Sequence, residues 1–140
     1  MLVSAIRSDD PVIFNIHKLS FANTGPVPEE IYTLPLDKAR VVREGSDVTI
    51  VSISLMTQRA LEAAATLEKD GISAEVVDLL SLSPLDTETI LESVRKTSRL
   101  VVVDEDWPRC SVASEIVALV AEEAMDFLDA PPVKVTAPHT

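Results

Sequence analysis

The chain has 140 residues, 46% hydrophobic and 25% charged, which suits one globular domain and excludes a disordered chain. A formal net charge of −11 and a pI near 4.5 argue against binding nucleic acid or an anionic membrane, since both demand Lys and Arg. The single cysteine, Cys110, rules out an internal disulfide framework and favours a reducing, cytoplasmic setting. The longest apolar runs, such as Leu100–Val103, fall far short of the ~20 residues that span a bilayer. Met1–Ile6 lack the cationic start and long apolar run of a signal peptide.

Residues 1–38 are rich in Pro (Pro11, Pro26, Pro28, Pro35) and show little periodicity. Pro11–Phe14 is a possible strand, and Lys18–Leu36 reads as a connecting segment. From Ala39 onward, short apolar runs alternate with helical stripes. Ala39–Val42 is a short strand, followed by a turn at Glu44–Asp47. Val48–Ile53 is β-branched and almost wholly apolar, as a strand buried on both faces requires. Met56–Lys69 places Met56, Ala60, Leu61, Ala64 and Leu67 on one stripe, and Gly71 is a natural left-handed cap. Ser73–Leu79 is the next strand, and Thr87–Lys96 a helix with Ile90, Leu91 and Val94 inward. Leu100–Val103 is a third buried strand. Ser111–Leu128 is the longest predicted helix, and Val133–Val135 a last short strand. Strands separated by helices of ~10–15 residues predict a three-layer α/β/α domain around a mainly parallel sheet of about five strands.

In such a sheet, ligands sit beyond the carboxyl ends of the strands. Three loops qualify. Ser52–Thr57 contains no glycine, so backbone amides cannot approach a pyrophosphate closely, and Ser54 and Thr57 read as helix caps. Leu80–Asp86 reads as turn and cap chemistry, with Asp86 or Thr87 taking the first-turn amides. Asp104–Ser111 is the unusual one: three carboxylates, then the only Trp and the only Cys. A catalytic reading would pair carboxylates or use Cys110 as a nucleophile. A thiol nucleophile wants a His base, and the two histidines, His17 and His139, lie near opposite ends of the chain. No group has zinc-ligand spacing. The residues by themselves compose no complete active site. A free-standing ligand-binding module or an enzyme with a site at Asp104–Cys110 stays open as an alternative.

Several runs are familiar together. Pro28–Val51 (PEEIYTLPLDKARVVREGSDVTIV), Gly71–Leu79, Ser83–Thr87, Arg99–Asp104, Trp107-Pro108, Ala113–Ile116 and Phe127–Pro131 occur in order. They resemble the transketolase-like C-terminal domain of E1 β subunits of 2-oxo acid dehydrogenase complexes, most of all the pyruvate and acetoin types. The resemblance implies that residues 1–38 are the end of a preceding pyrimidine-binding domain plus its linker, and that 39–140 are the C-terminal domain. It implies a parent enzyme that uses thiamine diphosphate and Mg to pass an acyl group to lipoamide, with no catalytic, cofactor or metal residue in this segment. The implied partners are an E1 α subunit, a second β subunit and the basic subunit-binding domain of the acyltransferase. Asp129 matches an acidic position at that docking surface, and Trp107 and Phe127 are candidate subunit-interface residues. The sequence departs from its relatives at Ile16, where Glu often precedes His-Lys, and at Arg109–Ala113, where they often carry glycine. His17 then reads as a structural residue of the domain junction.

Overall fold

The β-branched run Val48–Ile53 becomes the middle strand of a five-stranded sheet. The structure, a computed structural model, describes residues 1–22 and 24–138. Its strands are β1 (Arg40–Arg43), β2 (Val48–Ile53), β3 (Ala74–Leu79), β4 (Leu100–Val103) and β5 (Val133–Val135). Its helices are α1 (Leu2–Ile6), α2 (Leu55–Leu67), α3 (Thr87–Thr97) and α4 (Val112–Glu123). The order across the sheet is β1-β3-β2-β4-β5, with β2 to β5 parallel and β1 antiparallel to β3.

Register explains the unbroken apolar runs. Ile50 lies between Val76 and Val101, and Val51 between Val77 and Val102. Successive residues point to opposite faces, and each face meets a helix. The first set packs on Ala60 and Ala64 of α2; the second packs on Ile90 and Val94 of α3 and Ile116 and Val120 of α4. Complete burial of one such Val or Ile contributes roughly 1.5–3 kcal/mol over exposure. The α/β/α layering expected from the sequence is present.

Local signals set most boundaries. After α2 a short 3₁₀ turn, Glu68–Asp70, leads to Gly71 at φ 80°, the left-handed conformation a glycine holds without a Cβ penalty. Asp86 caps α3 by accepting the Thr89 amide, and its other oxygen accepts the Ala39 amide at 2.9 Å. One carboxylate therefore fastens the segment before β1 to α3.

Three expectations fail for physical reasons. Pro11–Phe14 forms no strand, because no described strand pairs with it and its side chains have no core to enter. The helix expected to reach Leu128 stops at Glu123: Ala124 leaves helical geometry and a 3₁₀ turn, Met125–Phe127, follows. No basic residue sits in its last turn, and Glu122 and Glu123 oppose the helix dipole there. Ser54 and Thr57 do not cap α2 with their side chains; their roles belong to the site below.

The amino ends of the strands are held by a buried polar network. Glu75, 2% exposed, accepts hydrogen bonds from Ser93 Oγ (2.6 Å), the Gly45 amide (3.3 Å) and the Lys96 ammonium. Thr49 Oγ1 joins Ser93 and Thr97 hydroxyls at 2.7 Å each. Burial pushes the Glu75 pKa up, but the hydrogen bonds from Lys96, Ser93 and Gly45 outweigh it and hold the carboxyl below its ordinary value. Burial likewise opposes the bonds to Asp86, and those bonds also prevail, keeping its pKa low.

Two outcomes follow. A Cβ on Gly45 would lie 2.2 Å from backbone atoms of Ala74 and Glu75, so Gly45→Ala is expected to cost at least about 1–3 kcal/mol in denaturant melts. The depressed carboxyl pKa values contribute stability above the unfolded carboxyl range, and that stability is lost as pH falls through the lower folded values. Melting temperature should therefore drop on acidification, and drop less steeply in Glu75→Gln.

Candidate functional site

Strand order reverses between β2 and β4: the chain leaves β2 for β3 on one side, then crosses to β4 on the other. The crevice beyond their carboxyl ends is the natural ligand position of this topology. A pocket of about 420 Å³ lies there, lined by Asn15, His17, Ser54, Asp78 and Glu105 among others.

Each of these groups has a defined local cause. Ser54 links β2 directly to α2 at φ 57°, ψ −123°, a conformation that L residues rarely adopt, and its side chain makes no capping bond. Thr57 donates instead to Asp78 Oδ1 at 2.7 Å and receives the Ser52 hydroxyl at 3.2 Å. Arg40 covers the second oxygen of Asp78 at 3.0 Å. Asp78, buried and ion-paired with Arg40, ties β1, β3 and α2 together at the edge of the pocket.

His17 is drawn to the acidic loop, a contact that 88 positions of sequence separation conceal. Its Nε2 lies 3.1 Å from Glu105 Oε1, and its Nδ1 accepts the Leu19 amide. With Nδ1 accepting, Nε2 is the side of the ring that meets Glu105. Both ring nitrogens are committed, so His17 offers no lone pair to a nucleophile. Nor do the loop carboxylates wait for one. Asp104, buried, accepts the Asp106 amide with Oδ1 and the Ala113 amide with Oδ2, each at 3.1 Å. The second of these caps the first turn of α4 alongside Ser111, whose Oγ accepts the Ser114 amide. Lys134 of β5 ties the loop down through Pro108 O (2.7 Å) and Ser114 Oγ (2.9 Å). Cys110 is exposed at φ 54°, with no hydrogen bond among the described residues. His139 lies outside the described residues. No group of three His, Cys, Asp or Glu among the described residues could hold a metal ion.

The other singled-out residues lie elsewhere. Trp107 and Phe127 flank opposite ends of α4, whose twelve residues span about 18 Å. Both are half-exposed, at 50% and 47%, and the Arg95 guanidinium stacks 5.5 Å above the Phe127 ring. Asp129 lies at the amino edge: its amide bonds Ser98 O at 2.9 Å and its carboxylate faces Arg99 Nη2 at 3.4 Å. Among the described residues no helix is long and apolar enough to cross a membrane.

Fold and loops together define a doubly wound α/β domain whose carboxyl-end groups organise structure and form no complete catalytic set among the described residues. The chain belongs to the transketolase C-terminal domain family, which it matches over residues 37–140. It is 55% identical, along its whole length, to the acetoin:2,6-dichlorophenolindophenol oxidoreductase subunit beta of Cupriavidus necator, and 51% identical to that of Bacillus subtilis. It covers 41% of each of these. It is 49% identical to the pyruvate dehydrogenase E1 component subunit beta of Bacillus subtilis, covering 43% of it. A solved structure titled a split gene transketolase, inactive beta4 tetramer, superposes with a TM-score of 0.69 and 37% identity, over 81% of this chain and 38% of that one. The chain thus spans about two fifths of the length of these relatives.

The hydrogen bonds make two stability outcomes specific. Asp104→Ala leaves the Ala113 and Asp106 amides without their acceptor and should cost about 1–2 kcal/mol in chemical denaturation. Ser54→Gly should raise stability by about 1 kcal/mol, because glycine adopts that torsion without strain.

Proposed function

We propose that this chain is the assembly and docking domain of a β subunit in a thiamine-diphosphate-dependent dehydrogenase complex acting on pyruvate or acetoin, with a branched-chain 2-oxo acid the more distant option. In this reading residues 1–38 are the end of a pyrimidine-binding domain plus linker, and 39–140 the C-terminal domain. The observation that carries it is near-50% identity to such subunits along the entire chain, the segment before β1 included. That segment behaves like part of something larger: Ile13, Val27 and Ile31 are 77–88% exposed, although apolar side chains of this size belong in a core.

Chemistry would reside outside these residues. A thiamine diphosphate–Mg site does not fit the groups present: the loop after β2 has no glycine, and the described residues include no acidic metal cluster. The rival enzyme reading at Asp104–Cys110 is disfavoured because Asp104 spends both oxygens on backbone amides. What the domain offers is surface. The end of α4 gathers Glu122, Glu123, Asp126 and Asp129 around the exposed Met125 and Phe127. Carboxylates at a helix C-terminus oppose the dipole, so their concentration there supports a use outside the fold, and a basic, apolar-tipped partner such as the acyltransferase's subunit-binding domain complements it. Trp107, before the other end of α4, and Phe127 are the proposed subunit-interface residues.

Reconstitution tests this reading. Lipoamide-linked dehydrogenase activity should appear only when the complete β subunit is combined with an α subunit, and never with the 140 residues alone. In that complete subunit Asp129→Asn should weaken binding of the acyltransferase's subunit-binding domain by about 1–3 kcal/mol at low salt. Turnover with a free substrate and an artificial electron acceptor should stay unchanged. Losing the exposed Arg99 pair should cost the fold under about 1 kcal/mol, so a stability measurement separates docking from unfolding.

A further inference from the structure

The segment before β1 is a loop fastened at its base. Ser4 Oγ donates to Leu34 O at 2.5 Å and accepts the Leu34 amide at 3.1 Å, so α1 closes back on the residues that lead to β1. Lys38 then pairs with Glu88, and the Ala39 amide with Asp86, at the start of α3. Between those anchors run residues 9–33. Among the described residues a single hydrogen-bonded or ionic contact joins this stretch to the rest of the domain, His17 Nε2 on Glu105 Oε1 at 3.1 Å. Its other hydrogen bonds stay inside the stretch Ser8–Ser20.

That contact stands at the switch-point crevice. Asn15, Ile16 and His17 line the 420 Å³ pocket together with Ile53 and Leu79, from the ends of β2 and β3, and Glu105. We infer that residues 15–17 are a strap across this crevice and that His17–Glu105 is its clasp. The Glu105 side is the fixed one: Asp104 beside it caps α4, and Lys134 of β5 ties down the same loop. The His17 side is the one that moves, and the base contacts keep the loop tethered when it does. The two side chains are 23% and 51% exposed, and a pair so open to water holds weakly, so the closed and open forms exchange. Closed, the strap completes the wall of the site where this topology takes ligands; open, it uncovers the ends of β2 and β3. In the longer subunit proposed above, the same clasp would lock the tail of the preceding domain against this one. The inference itself concerns the 140-residue chain and does not depend on the dehydrogenase reading.

Native-state trypsin cleavage after Lys18, followed by mass spectrometry on the 140-residue chain, reads the clasp directly. Cleavage follows the population of the open form when opening is fast. Glu105→Leu should accelerate it about two- to fivefold, the range for losing an exposed pair. Glu105→Gln, which keeps a hydrogen-bonding group for the ring, should stay close to the rate of the unaltered chain. In a His17→Ala background, where the clasp is already gone, Glu105→Leu should add nothing. Thermal melts of all variants should superpose, because neither residue belongs to the apolar faces of the sheet. A cleavage rate indifferent to Glu105→Leu overturns the inference. So does an equal acceleration in both backgrounds, or a fall in melting temperature that accounts for the faster cleavage.

Discussion

Everything in this fold depends on β2 being hydrogen-bonded on both sides and covered on both faces. A strand in that position has no solvent side to carry polar residues, and Val48–Ile53 accordingly places apolar residues almost throughout. With β2 in the middle, β3 falls on one flank and β4 on the other, and that reversal fixes where a crevice opens. The two polar exceptions inside the strand are each matched. Thr49 joins the hydroxyl chain with Ser93 and Thr97, and Ser52 bonds Thr57. At the amino edge Glu75 extends this satisfaction to the turn before β2, where Gly45 has room for no side chain.

The same economy runs through the crevice. An active carboxylate or imidazole needs a free lone pair and a pocket that leaves it so. Here Asp78 is shared between Thr57 and Arg40, Asp104 between two backbone amides, and His17 between Glu105 and Leu19. Each is fully used in holding a loop against a strand or a helix. Exposed carboxylates gather instead on the outside, Glu122, Glu123 and Asp126 among them, at the end of α4.

Most of the architecture was legible because its causes are local. Periodicity marks β2, β3, β4 and the inward stripes of the helices, Gly71 marks the end of α2, and Asp86 marks the start of α3. What was illegible depends on contacts distant in sequence. Pro11–Phe14 has the composition of a strand, but composition cannot supply the neighbour it needs. The early stop of α4 follows from unfavourable carboxylates that an apolar stripe does not reveal. Thr57 reads as a cap until Asp78, on another strand, takes its hydroxyl. The positive torsions of Ser54 and Cys110 leave no mark at all, since neither position holds a glycine. The site followed the same rule: the acidic loop stood out in the sequence, whereas its partner His17 did not.

If the proposed reading holds, with assembly here and chemistry elsewhere, the domain should be exchangeable between enzymes of different substrate. The decisive measurement replaces the C-terminal domain of a pyruvate-type β subunit with residues 39–138 of this chain and compares kcat/KM for pyruvate and for acetoin in the reconstituted enzyme. If the account holds, the pyruvate preference of the host stays as it was, while affinity for the acyltransferase's subunit-binding domain shifts to that of the grafted surface. A substrate preference that travels with residues 39–138 would place reacting or substrate-selecting groups inside them and contradict it.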